Sequence, residues 1–226
     1  MVMVFPTPSQ LGRQSDALMP ALRPVARAGD HDSVHVIDSG VGIGFAHVGR
    51  IEMFHDYLGS RLDVVDDVVF EWRRRSRTSL GPGHAPIDQQ VKQASGIALA
   101  KSVEWRRIDL DDSSRLGVDQ VQAELRAYAR SQGDPHADDP WRHRGEAASI
   151  FHAGSCDGIV LTNDGGARHV AQRRRVRALH CGHVLRELVV DGRLLGHEAW
   201  DLYQRMIEVS GVGGSGVPES VDWFTG

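Results

Sequence analysis

Lysine is nearly absent from this 226-residue chain: only Lys92 and Lys101 occur, and arginine carries almost all of the positive charge. The formal net charge is −4, so a global basic surface for nucleic acid is excluded, and any such binding must come from local patches. Cysteine is equally scarce. Cys156 and Cys181 cannot build a disulfide framework, and they form no CxxC zinc pattern. No apolar run reaches the ~18 residues of a membrane span. The start, "MVMVFPTPSQ", has neither a basic leader nor a long apolar run, so a secretion signal is not expected there. These absences lead to the expectation of a cytoplasmic protein without membrane contact. What is present, 41% hydrophobic and 25% charged residues, is the composition of a globular core.

The chain divides by pattern. Residues 1–32 hold four prolines and one short apolar patch, and are read as a flexible or peripheral extension. Residues 33–210 alternate short β-branched runs with amphipathic stretches. "VHVID" (34–38), "LDVV" (62–65), "EWRRIDL" (104–110), "GIVLT" (158–162) and "VRAL" (176–179) read as strands. A helix from Ser39 to Leu58 is expected after the first, then helices over 66–77, 87–104, 117–131, 145–154, 165–175, 182–191 and 196–209. Residues 211–226, rich in glycine, read as a flexible tail. Strands alternating with helices need crossover connections, which predicts an α/β fold with a central, mostly parallel sheet of four to five strands.

In such sheets functional side chains gather at the carboxyl ends of strands. Asp38 ends the first strand and Asp164 follows "VLT". Glu71 lies on the second helical segment and Glu146 opens "GEAAS". Each has an ordinary structural explanation: Asp164 as a helix cap, Glu146 as a first-turn acid, Glu71 as an intrahelical ion-pair partner. Asp38 has the least structural reason to sit where it does. Together, clustered carboxylates raise one another's proton affinity, a cost that a hard divalent cation would offset.

The four stretches "VHVIDSG", "LDVVDDVVFEW", "GEAASI" and "VLTNDGGARHVAQRRRVRAL", in this order, resemble the PIN-domain family of metal-dependent ribonucleases. "CGHVLRELVVDGRL" resembles a run in one branch of that family. The resemblance spans about Val34 to Glu208 and implies a PIN-like three-layer sandwich. By matching position it implies catalytic acids Asp38, Glu71, Glu146 and Asp164, with Asp38, Glu146 and Asp164 holding Mg²⁺ or Mn²⁺. Asp67 is the rival for the Glu71 position. Ser39, Thr162 and Arg168 match residues near the substrate, Arg168 either touching phosphate or bracing the fold. Where that branch often has two adjacent aspartates, this chain has Asn163–Asp164, and Gly40 stands where many members have a polar residue.

The implied activity is hydrolysis of RNA phosphodiester bonds as the toxin half of a toxin–antitoxin pair. A small antitoxin protein and a second copy of the chain would be the partners. The alternative is an inactive PIN-like module that binds RNA or protein. The twelve histidines form no HExxH or other clean zinc pattern. A phosphoacceptor domain of the response-regulator sort would need a lysine at the end of a late strand, and none is there. "RRRSR" (73–77) and "RRRVR" (173–177) are either solvated helix ends or a phosphate footprint.

Overall fold

A computed structural model describes residues 33–81, 83–211 and 217–225. The extension expected over 1–32 lies outside the described residues. Five strands form one all-parallel sheet flanked by helices, an α/β three-layer arrangement. The strands are β1 (His35–Ile37), β2 (Leu62–Val65), β3 (Arg106–Ile108), β4 (Ile159–Leu161) and β5 (Arg177–Leu179), in the spatial order β3-β2-β1-β4-β5. The three central strands are buried along their whole length, as a parallel sheet covered on both faces requires. The two edge strands are more exposed and begin with arginines, which discourages pairing with another chain.

The helices are α1 (Ser39–His47), α2 (Ile51–Leu58), α3 (Asp66–Arg77), α4 (Pro86–Lys101), α5 (Asp112–Ser131), α6 (Arg144–Ser155), α7 (Gly165–Arg173), α8 (Cys181–Val190), α9 (Gly196–Ser210) and the short α10 (Asp222–Thr225). Helices α1, α4 and α9 pack on one another, as do α5, α6 and α7, and α3 touches both groups. An aromatic group of Phe45, Phe54, Trp72 and Trp105 fills the space between α1, α2, α3 and the start of β3. Gly42 is required there, because a Cβ would lie 2.5 Å from the Trp72 ring.

Three expectations are corrected. The single helix over 39–58 is two helices. The Arg50 N–H bonds to the Phe45 carbonyl (2.9 Å) and the Gly49 N–H to that of Ala46 (3.1 Å), with Gly49 at φ +69°. This is a Schellman stop, which the apolar periodicity on either side concealed. Helix α5 starts at Asp112 rather than 117, because the Asp111 carboxylate caps the Ser114 N–H at 2.9 Å. The tail is not uniformly flexible. Residues 212–216 and 226 lie outside the described residues, but Phe224 is buried and rings of Trp223 and Phe224 pack on His183, Trp200 and Tyr203.

Candidate functional site at the carboxyl ends of β1 and β4

From β1 the chain moves outward to β2, and from β4 it moves outward to β5 on the other side. The connections diverge between β1 and β4, so a crevice opens beyond their carboxyl ends. Asp38 and Asp164 stand there. A cleft of about 420 Å³ is lined by Asp38, Ser39, Gly40, Arg75, Glu146, Asn163, Asp164 and the Val209–Gly211 end of α9, among others.

The Asp38 N–H continues the sheet ladder to the Leu161 carbonyl (2.9 Å). Its carboxylate accepts the Ser39 N–H at 2.6 Å and the Thr162 hydroxyl at 3.0 Å, so it caps α1 while its position is set from β4. Asp164 caps α7 by accepting the Ala167 N–H at 2.6 Å, and its own N–H donates to the Thr162 hydroxyl at 3.2 Å. The capping role of Asp164 and its place in the cleft are therefore compatible. Glu71 reaches from α3 and accepts the Gly145 N–H at 3.1 Å, capping α6 from outside that helix. A Cβ on Gly145 would lie 2.6 Å from the Glu71 carboxylate oxygen, which explains the glycine of "GEA". Asp67 is instead bound to Arg144 at 2.9 Å, so of the two rivals Glu71 is the one associated with the cluster.

The electrostatics agree with the geometry. Burial, then the charge of Glu71, pushes the Asp38 carboxyl up to about 7; the Thr162 and Ser39 hydrogen bonds pull it down and Asp164 pushes it up again. Burial, then the charges of Asp38 and Glu71, hold Glu146 well above the ordinary carboxylate range. Glu146 has only its own backbone amide to favour the charged form. Among the described residues the one cation lining the cleft is Arg75, 3.8 Å from Glu71 and 41% exposed. The fold thus gathers four acids, supplies the positive ends of three helices, and leaves most of the negative charge unbalanced.

Hard carboxylate oxygens with raised proton affinity fit Mg²⁺ or Mn²⁺ in donor type and charge. As the side chains stand, no three His, Cys, Asp or Glu among the described residues lie close enough together to ligate one ion.

Other expected residues take positions of a different kind. Thr162 is fully buried and orients Asp38 rather than meeting a ligand. The Arg168 guanidinium is spent on the Thr162 and Asn163 carbonyls at 3.3 and 3.0 Å, so it braces the turn after β4 and does not line the cleft. Ser39 lines the cleft and its carbonyl accepts the Trp72 indole N–H at 3.1 Å. The Asn163 oxygen accepts the Cys181 N–H (3.1 Å) and its amide donates to the Ser210 hydroxyl (3.0 Å). Asn163 thus ties the starts of α7 and α8 to the end of α9. Arg75 and Ser210 escaped sequence reading. Arg75 could have been singled out from "RRRSR" by its spacing four residues after Glu71, whereas nothing local marks Ser210. Burial pushes the Cys181 thiol up to about 12 and the Cys156 thiol upward, so neither is an activated nucleophile.

Among the described residues no helix is long and apolar enough to cross a membrane. Comparison with models of known protein families finds no match, and comparison with curated proteins finds no significant similarity. What is defined on this chain is a class of site: an acid-lined cleft at the switch point of a parallel α/β sheet.

Proposed function

We propose that this chain is a PIN-type endoribonuclease of the cytoplasm that requires Mg²⁺ or Mn²⁺, and that it serves as the toxin of a toxin–antitoxin pair. The observation that carries the reading is the uncompensated charge of the cluster. Asp38 is 3% exposed, has no cationic partner among the described residues, and is held at a proton affinity near neutrality by burial and then by its acidic neighbours. A fold keeps such a cost at a functional site more readily than in a scaffold.

Asp38, Glu146 and Asp164 would hold the cation. When bound, it would supply activation of water and charge stabilisation on a phosphodiester. The chain's own groups do the rest. Thr162 and the α1 N-terminus orient Asp38, and Glu71 fixes the first turn of α6 and with it Glu146. Arg75 is the cleft's group for a phosphate oxygen. A small antitoxin would act by covering the cleft.

The test is cleavage of unstructured RNA with Mg²⁺ or Mn²⁺ and with chelator, beside Glu146→Gln and Asp164→Asn. Cleavage that needs the metal and falls at least ~100-fold in Glu146→Gln is expected. Cleavage unchanged by chelator and by both substitutions would end the reading.

A second reading keeps the acids without catalysis, leaving a module that binds RNA or protein. It is favoured by Asn163, which adds no charge and whose oxygen already accepts a backbone amide. Metal-independent RNA binding with no cleavage would support it.

A further inference from the structure

A second concavity, of about 550 Å³, lies between α3, the end of β3 and the start of α5, and is closed by Trp141 and by Arg144 at the start of α6. Phe70 and Trp141 stand in it 52% and 60% exposed, and Trp141 is the one exposed tryptophan of the five in the chain. Large aromatic rings left in water in one groove need a partner that covers them. Around them are Arg73, Arg107, Arg115 and Arg144. Arg107 is paired with Asp66, Arg115 with Asp112, and Arg144 with Asp67 and Asp119. Arg73 has no ion-pair partner among the described residues.

The groove and the acidic cleft share their walls. Phe70 and Glu71 are consecutive on α3, as are Arg144, Gly145 and Glu146 on α6. Two bonds seam the helices: Arg144 to Asp67 at 2.9 Å on the groove side and Gly145 to Glu71 at 3.1 Å on the cleft side. Asp67 and Glu71 are one helical turn apart, about 6 Å of rise. That is on the order of two nucleotides of a stacked strand, at ~3.4 Å each. The helix also turns Arg73 into the groove and Arg75 into the cleft. A ligand that meets both concavities is a polymer with flat apolar units and anionic links.

We propose that the Phe70–Trp141 groove binds single-stranded RNA, stacking bases two or so nucleotides from the phosphate held in the acidic cleft. The choice of occupant rests on the reading of the cleft as a phosphodiester-cleaving centre. Base stacking on aromatic rings supplies the affinity and tolerates any sequence, because every base has a π-face. The groove's carboxylates balance most of its arginines, so the salt dependence of binding is shallow. A slope of about two phosphates, near −1.4 in log K against log salt, follows from Arg73 in the groove and Arg75 in the cleft.

The test is binding of a fluorescein-labelled twelve-nucleotide oligouridylate to the full chain in chelator, read by anisotropy, with metal-dependent cleavage measured separately. Phe70→Ala combined with Trp141→Ala, both at exposed positions, is expected to weaken binding at least ten-fold. Arg73→Gln is expected to weaken it a few-fold and to flatten the salt dependence. In the wild type, RNA should quench the emission of Trp141. Affinity within two-fold of wild type in the double variant overturns the proposal, whether or not the chain cleaves RNA. Weakened binding without any metal-dependent cleavage keeps the groove and removes the nuclease reading. Loss of self-association in the double variant with RNA affinity unchanged overturns the proposal in favour of a protein interface.

Discussion

Two buried aspartates on adjacent strands have opposite surroundings. Asp63, in β2, is 0% exposed. Arg106 grips it through two bonds of 2.6 and 2.7 Å, and a His152 ring nitrogen lies 2.8 Å away. Burial alone would raise its proton affinity, but the His152 and Arg106 hydrogen bonds outweigh burial and lower it. Asp38, just past β1, is also almost fully buried and has no cationic partner among the described residues. Burial first, then the charges of Glu71 and Asp164, push it up to about 7, and its own charge raises Glu146 in turn. The same residue type thus occurs once as a compensated structural ion and once as an uncompensated one. A buried charge is ordinarily paired. The departure at Asp38 therefore locates the site, and Asp63 is the internal control that burial by itself does not.

The contrast can be broken first at Asp63. Asp63→Asn keeps the shape and removes the charge that Arg106 and His152 serve, so a loss of about 2–3 kcal/mol is expected. The value is held down because Arg106 is half exposed and can return to water. Urea unfolding measures it; a loss below ~0.5 kcal/mol would mean that the ion pair is incidental.

The complementary change at Asp38 has the opposite sign. A folded-state value near 7 against 3.8 means that the native state binds the proton more tightly than the unfolded chain does. The contribution of Asp38 to stability should therefore fall as pH rises from about 4 to about 7, then level off. Without divalent metal, Asp38→Asn should be more stable than wild type at pH 8, by on the order of 2 kcal/mol, and equal to it near pH 4. Asp63 gives the reverse dependence, because a lowered value contributes stability that is lost as pH falls below the ordinary carboxylate range. An Asp38→Asn protein that is less stable than wild type at pH 8 would remove the distinction between the two aspartates.

A smaller effect sharpens the contrast through the second helix of the cluster. Gly145→Ala places a Cβ 2.6 Å from the Glu71 carboxylate oxygen, so Glu71 must release the α6 N-terminus. A cost of about 1–2 kcal/mol is expected, with displacement of Glu146 and a fall in any metal-dependent RNA cleavage. Unchanged melting and unchanged cleavage would show that the Glu71 cap does not position Glu146.

The central sheet could be read from the chain because β1, β2 and β4 are buried on both faces and therefore spell mostly apolar runs. Asp38 and Asp164 stood out for the same reason, as polar residues just past such runs. Glu71 and Glu146 were found by resemblance, and their convergence needed the fold. Asp63 was passed over inside "LDVV" because its partners, Arg106 and His152, are 43 and 89 positions away. Arg168 and Thr162 sat at motif positions, yet their bonds turn inward. The docking of Trp223 and Phe224 was hidden by the glycine-rich stretch before them. The Schellman stop at Gly49 was hidden because the apolar stripes of α1 and α2 continue each other in phase.

The most direct measurement is thermal unfolding at pH 8 across a titration of Mn²⁺ or Mg²⁺, for the wild type and for Asp38→Asn with Glu146→Gln. If the cluster takes a divalent ion, saturating metal at ~100 times its dissociation constant adds about 2.7 kcal/mol to the wild type. For a domain of this size that is an upward shift of roughly 5–10 °C. The account predicts that shift in the wild type and none in the double variant, whose starting stability is already higher. Equal shifts in both proteins, or no shift in the wild type, would contradict the assignment of these acids to a cation.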